Sequence, residues 1–260
     1  MEKLKSLLKR KKNLLSVYFT AGFPDIESTT KVLKSLEKAG VDFVEIGMPY
    51  SDPLADGPVI QNSSTRALEN GMSLKKLFEQ LSSIPEEISM PIILMGYLNP
   101  VLKFGVEKFI EQCKSNNVSG LILPDLPYET YLEEYQELFT RNNISNIFLI
   151  TPQTPEERVR NLDKASTSFI YMVSSAAVTG ARDGLSLQQI EYFERINNMG
   201  LATPRMVGFG ISNHQSYSDV CQHAHGAIVG SAFIRRLEQS GDDEEGIINF
   251  IKELKGKQVS

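Results

Sequence analysis

Short apolar runs recur along the chain at residues 14–21, 43–48, 91–98, 120–126, 147–150, 169–174, 206–211 and 227–233. Most are continuous rather than alternating, as expected of parallel strands covered on both faces. Between them lie polar segments whose apolar residues recur at helical spacing, among them 27–39, 106–113, 129–139, 187–196 and 214–220. Ser73 and Ser212 stand where N-caps belong, and Gly40 and Gly71 where helices stop. Leu4, Leu7 and Leu8 share one face of an N-terminal amphipathic segment that is expected to lie across one end of the fold.

About eight strands alternating with helices predict an α/β fold, a (β/α)8 TIM barrel with an extra N-terminal helix. A doubly wound open sheet is the competing topology. Nothing in the chain reads as a linker or a low-complexity stretch, so residues 1–260 are expected to form a single domain. The two widest spacings between strand starts run from 43 to 91 and from 169 to 206. Extra residues in such barrels usually lengthen the loops that build the active face. The loop after strand 2 is therefore expected to hold an additional helix over 59–69, and the loop after strand 6 to hold a mobile segment, 178–184, that closes over a ligand.

Composition narrows the function. With 260 residues, 41% hydrophobic and 23% charged, the chain can build a core without metals or disulfides. A formal charge of −5 leaves no basic stripe for tracking phosphodiesters. No apolar run approaches the roughly 18 residues that span a bilayer, and the basic N-terminus lacks the apolar core of a signal peptide. Cys113 and Cys221 lie far apart and suit a reducing cytoplasm. The segment Cys221-Gln222-His223-Ala224-His225 has the wrong spacing for a metal site on a helix face and precedes strand 8, away from the active-site loops.

The chemistry concentrates after strand 2, in Glu45-Ile46-Gly47-Met48-Pro49-Tyr50-Ser51-Asp52-Pro53-Leu54-Ala55-Asp56-Gly57-Pro58. Period-2 alternation puts Phe43, Glu45 and Gly47 on one face. If that face is the barrel interior, Glu45 is either a buried acid paired with lysine or arginine, or a carboxyl whose raised pKa lets it give and take protons near neutrality. Asp56 is either a turn or capping residue or a functional acid on a loop stiffened by prolines. Gly180, Gly210, Gly230 and Ser231 fall at the ends of late strands or in the loops beyond them, where backbone amides commonly hold phosphate in this fold.

The run from Val44 to Gln61 closely resembles the signature of the tryptophan synthase alpha chain family. So do Leu94-Met95-Gly96-Tyr97-Leu98-Asn99-Pro100, Pro124-Asp125-Leu126-Pro127, Val178-Thr179-Gly180-Ala181, Gly208-Phe209-Gly210-Ile211-Ser212 and Val229-Gly230-Ser231-Ala232. The resemblance implies retro-aldol cleavage of indole-3-glycerol phosphate to indole and D-glyceraldehyde 3-phosphate. It makes Glu45 the acid that protonates indole C3 and Asp56 the partner of the indole N–H. Thr179 would position Asp56, and Tyr171 would lie beside Glu45. Tyr18, Met95, Ile122 and Phe209 would line the ring, while Gly180, Gly210, Gly230 and Ser231 would take the phosphate. Asp52, Pro53 and Asn99 match positions facing a beta subunit in an α2β2 heterotetramer; pyridoxal phosphate belongs to that subunit, and no cofactor is implied here. Ala177 stands where the commoner pattern has glycine, and His225 where the family often has an acid.

Overall fold

Among the described residues nine short strands, all parallel where they pair, follow the order β5-β4-β3-β2-β1-β9-β8-β7-β6. They are β1 (Leu14–Thr20), β2 (Phe43–Gly47), β3 (Ile92–Met95), β4 (Val118–Ile122), β5 (Ser145–Asn146), β6 (Leu149–Ile150), β7 (Ile170–Val173), β8 (Arg205–Gly208) and β9 (Gly226–Val229). The computed structural model describes residues 1–84, 88–174, 184–208 and 210–257.

The outermost members of that order, β5 and β6, are two halves of one extended segment. Ser145 and Asn146 pair with β4, and the Ile147 N–H donates to the Leu121 carbonyl at 3.0 Å. Leu149 and Ile150 pair with β7, and the Tyr171 N–H donates to the Phe148 carbonyl at 2.9 Å. One six-residue stretch thus joins both edges, and the sheet is an eight-stranded barrel rather than an open sheet. Phe43 and Phe169 confirm the closure: their rings lie 5.6 Å apart although β2 and β7 are not neighbours, a contact made across the barrel interior. It also fixes the face of β2 that points inward, the face that carries Glu45.

The helices wrap this barrel with their buried stripes toward it. The N-terminal helix α1 (Glu2–Arg10) buries Leu4 and Leu8 and packs near the start of β4, closing the bottom. Helix α2 (Ser28–Lys38) buries Val32, Leu33 and Leu36 and stops at Gly40, whose φ of 72° suits glycine. The long excursion after β2 holds α3 (Pro58–Glu69), the additional helix, and then α4 (Leu74–Ser82). Pro58 occupies the first turn of α3, where its missing N–H costs nothing. Ser73 caps α4 by accepting from the Lys76 N–H.

The differences from the sequence reading include three strand boundaries, one helix and one cap. The run 91–98 leaves β3 at Met95, since Leu98 opens the next helix, α5 (Leu98–Phe104). The run 120–126 starts late, because β4 begins at Val118. The run 227–233 ends as strand at Val229 and continues as helix from Ser231. The expected helix over 129–139 contains a π-helical turn, Tyr131–Tyr135. The cap assigned to Ser212 belongs to Asn213, which forms a reciprocal capping box with Ser216.

Candidate active site

A cavity of about 400 Å³ opens at the C-terminal ends of the strands, lined by Tyr18, Asp56, Ile60, Met95, Tyr171, Gly210, Gly230, Ser231 and Arg235 among others. A larger depression of about 580 Å³ lies at the opposite end beneath α1. The smaller one adjoins Glu45 and Asp56, the acids that burial perturbs.

Glu45 is fully buried. Its Oε1 accepts a long hydrogen bond of 3.4 Å from the Ser16 hydroxyl, and its Oε2 has no partner. Among the described residues no lysine or arginine pairs with it. The paired-acid alternative is therefore set aside. Burial without a counter-charge pushes its pKa up to about 8, the Ser16 bond pulling slightly the other way.

Two tyrosines border this carboxyl. Tyr18 is the register partner of Glu45 on β1, and its hydroxyl leans over Gly47, filling the space a side chain there would occupy. Tyr171, opposite Met206 in register, leans in the same way over Gly208. Both hydroxyls are raised far above the ordinary phenol range, first by burial and then by the nearby acids Asp56 and Glu45. Absent side chains at Gly47 and Gly208 are thus what admits two large ones.

Asp56 does not cap α3; Gly57 holds that position. Its Oδ2 instead accepts from the Tyr97 hydroxyl at 2.9 Å, and the same hydroxyl accepts from the Ala55 N–H at 2.9 Å. The side-chain amide of Gln61 donates to the Asp56 carbonyl at 2.9 Å and pins the loop from below. Burial raises the Asp56 pKa, and the Tyr97 hydrogen bond partly offsets it. Tyr97 stacks on Tyr50 at 5.3 Å, and the Asn99 amide donates to the Tyr50 hydroxyl at 3.2 Å. Asp125 accepts from the Leu98 N–H with both oxygens and so fixes the start of α5 behind this group.

The predicted residues largely converge. Tyr18, Asp56, Met95, Tyr171, Gly210, Gly230 and Ser231 line the cavity, and Glu45 adjoins it. Ile122 is fully buried in β4 and stands outside the lining. Thr179, Gly180 and Phe209, with the segment 178–183 and Ala177, lie outside the described residues. Asp52 and Asn99 are exposed on the rim with Pro53 partly so, around Leu54, which is 90% exposed. Among the described residues no group of histidine, cysteine and acidic side chains is placed to hold a metal. His225 accepts from the Arg205 N–H instead. Sequence reasoning missed Tyr97, Ile60 and Arg235. Tyr97 sits inside a quoted motif, but its bond to Asp56 spans 41 residues and leaves no local signal.

A family model described as tryptophan synthase alpha chain matches residues 4–259. The tryptophan synthase alpha chain of Christiangramia forsetii is 50% identical over 255 residues, 98% of this chain and 99% of its own length. That of Bacteroides thetaiotaomicron is 50% identical over 245 residues, covering 94% and 96%. Among solved structures, a mutant alpha-subunit from Pyrococcus furiosus superposes with a TM-score of 0.86 at 33% identity, covering 95% of this chain and 99% of that one. A chain of the tryptophan synthase complex from the same organism gives 0.85 at 33%. The chain belongs to the tryptophan synthase alpha chain family.

Proposed function

We propose that Glu45 and Asp56 carry the lyase chemistry of this family in the cavity above the barrel. The chain cleaves indole-3-glycerol phosphate to indole and D-glyceraldehyde 3-phosphate and passes the indole to a beta subunit for tryptophan synthesis. It works without a cofactor of its own; pyridoxal phosphate is carried by the beta subunit.

Breaking the bond between indole C3 and the side chain needs somewhere for two electrons to go. Protonated Glu45 gives its proton to C3, which turns the ring into an electron sink with positive charge on nitrogen. Asp56, as a carboxylate, accepts the indole N–H and stabilises that charge as it develops. The Glu45 carboxylate then takes the proton from the adjacent side-chain hydroxyl. Its O–H electrons form the aldehyde, the C–C electrons return to the ring, and Glu45 ends protonated as it began. A carboxyl that holds its proton to about pH 8 is suited to both steps. Because Glu45 is fully covered, its carboxyl must rotate upward past Tyr18 and Tyr171 to reach C3.

Tyr18, Met95 and Tyr171 flank the ring, while Gly210, Gly230 and Ser231 take the phosphate at the start of the helix that opens with Ser231. Asp52, Pro53 and Asn99 face the beta subunit in an α2β2 assembly. We read residues 1–260 as one catalytic unit working in the cytoplasm; among the described residues no helix is long and apolar enough to cross a membrane.

The observation that carries the assignment of roles is the buried, unpaired carboxyl of Glu45 beside a cavity whose rim holds Asp56. The test is indole release from indole-3-glycerol phosphate, with and without a beta subunit, beside the Glu45→Gln variant. Indole that appears, rises with the partner and vanishes in the variant is expected. Retained turnover in Glu45→Gln would overturn the acid assignment, and ligand binding without any turnover would reduce the chain to an activating scaffold.

A further inference from the structure

The helix Ser231–Ser240 carries two successive arginines with different surroundings. Arg236 is committed to the fold: it donates to the Gly241 carbonyl at 2.6 Å and pairs with Asp243 at 2.5 Å. Glu238 on the same helix is met by Arg66 at 3.8 Å. Arg235 has no ion pair or hydrogen bond among the described residues, yet it lines the cavity beside Ser231 and Gly230. Ser231 and Arg235 are four residues apart and so lie on one face of the helix. The same helix has no side-chain cap, so its first-turn amides keep their donors.

The charges of the cavity lining are correspondingly divided. Among its described lining residues Asp56 is the acid and Arg235 the cation, and the two do not pair with each other. A substrate with a ring N–H at one end and a phosphate dianion at the other matches that polarity in one direction only.

We infer that Arg235 is a substrate-positioning residue that engages the phosphate from the cavity mouth and fixes which way round the substrate enters. This rests on the reaction assigned above. A guanidinium presents a planar fork of donors suited to phosphate oxygens, and it adds charge where Gly210, Gly230 and Ser231 offer only dipoles. Its exposure makes the attraction sensitive to salt.

The test compares wild type, Arg235→Gln and Arg235→Lys for turnover of indole-3-glycerol phosphate, inhibition by inorganic phosphate, and inhibition by an indole bearing a propanol chain without phosphate. Arg235→Gln is expected to raise KM about tenfold with kcat within about twofold, and to weaken phosphate inhibition by a similar factor. The indole-propanol constant should not move, and lysine should restore most of the loss. Unchanged KM and phosphate inhibition in Arg235→Gln would overturn the inference, as would equal weakening toward the phosphate-free indole. Failure of the wild type itself to release indole would instead strike at the reaction.

Discussion

Two acids only three residues apart at β2 have opposite fates. Asp42, just before the strand at the bottom of the barrel, pairs with Lys11 and accepts the Leu15 N–H at 2.9 Å. Glu45, inside the strand, has a single long hydrogen bond and one oxygen with no partner. The first is satisfied in the folded state and ties the end of α1 to the barrel. The second is kept at a cost in stability, because a buried carboxyl without a cation is worse off than one in water. At this one strand, then, the lower acid is saturated by a cation and a backbone amide, while the inward one is left under-satisfied.

The sharpest way to break that contrast is Glu45→Gln, with turnover lost by several orders of magnitude but stability kept. Unfolded, the carboxyl releases its proton near the ordinary value of 4.5; folded, it holds on to about 8. Between those values the folded state binds more protons, so stability falls as pH rises through the window. The loss is on the order of a few kcal/mol by pH 8. Urea titrations at pH 5 and pH 8 should show this slope in wild type and its absence in Glu45→Gln; equal slopes would mean the acid is not held neutral.

Asp56→Asn should lower kcat by about 100- to 1000-fold with a modest change in affinity, since it removes charge stabilisation that grows toward the transition state. An unchanged rate would return Asp56 to a loop-shaping role. Tyr97→Phe should cost about tenfold in kcat, with KM little altered, by releasing Asp56 from the hydroxyl that aims it. If kcat holds, the 2.9 Å bond is incidental. At the saturated acid, Asp42→Asn should leave kcat untouched and lower stability by about 1–3 kcal/mol, read as a shift in the urea midpoint. A fall in kcat there would show that the two acids are not independent.

The barrel was legible because β1 and β2 are buried on every residue and so read as mostly apolar runs rather than alternating ones, interrupted by Ser16, Thr20 and Glu45. That Phe43, Glu45 and Gly47 share a face was legible because a period of two needs no knowledge of neighbours; that this face is the inner one is settled by the Phe43–Phe169 contact. What escaped has non-local causes. The fifth strand is split because one half answers to β4 and the other to β7, a demand written in the partners rather than in residues 145–150. Ser212 and Asn213 are both good caps by type, and only the reciprocal bond with Ser216 decides between them. Arg235 and Arg236 are identical letters, distinguished solely by which way a helix face turns.

The tyrosine–glycine pairs at the top of the barrel carry an evolutionary consequence. Each tyrosine leans two residues up onto a neighbouring strand and occupies the volume its glycine leaves empty, Tyr18 over Gly47 and Tyr171 over Gly208. Neither member can mutate freely on its own: a methyl group at either glycine collides with a phenol, and a smaller residue at either tyrosine opens a hole beside Glu45. The two positions of each pair are therefore epistatic. A scan of single substitutions would score both glycines as immutable, while the sequences that reshape this pocket for a bulkier substrate lie two coordinated steps away.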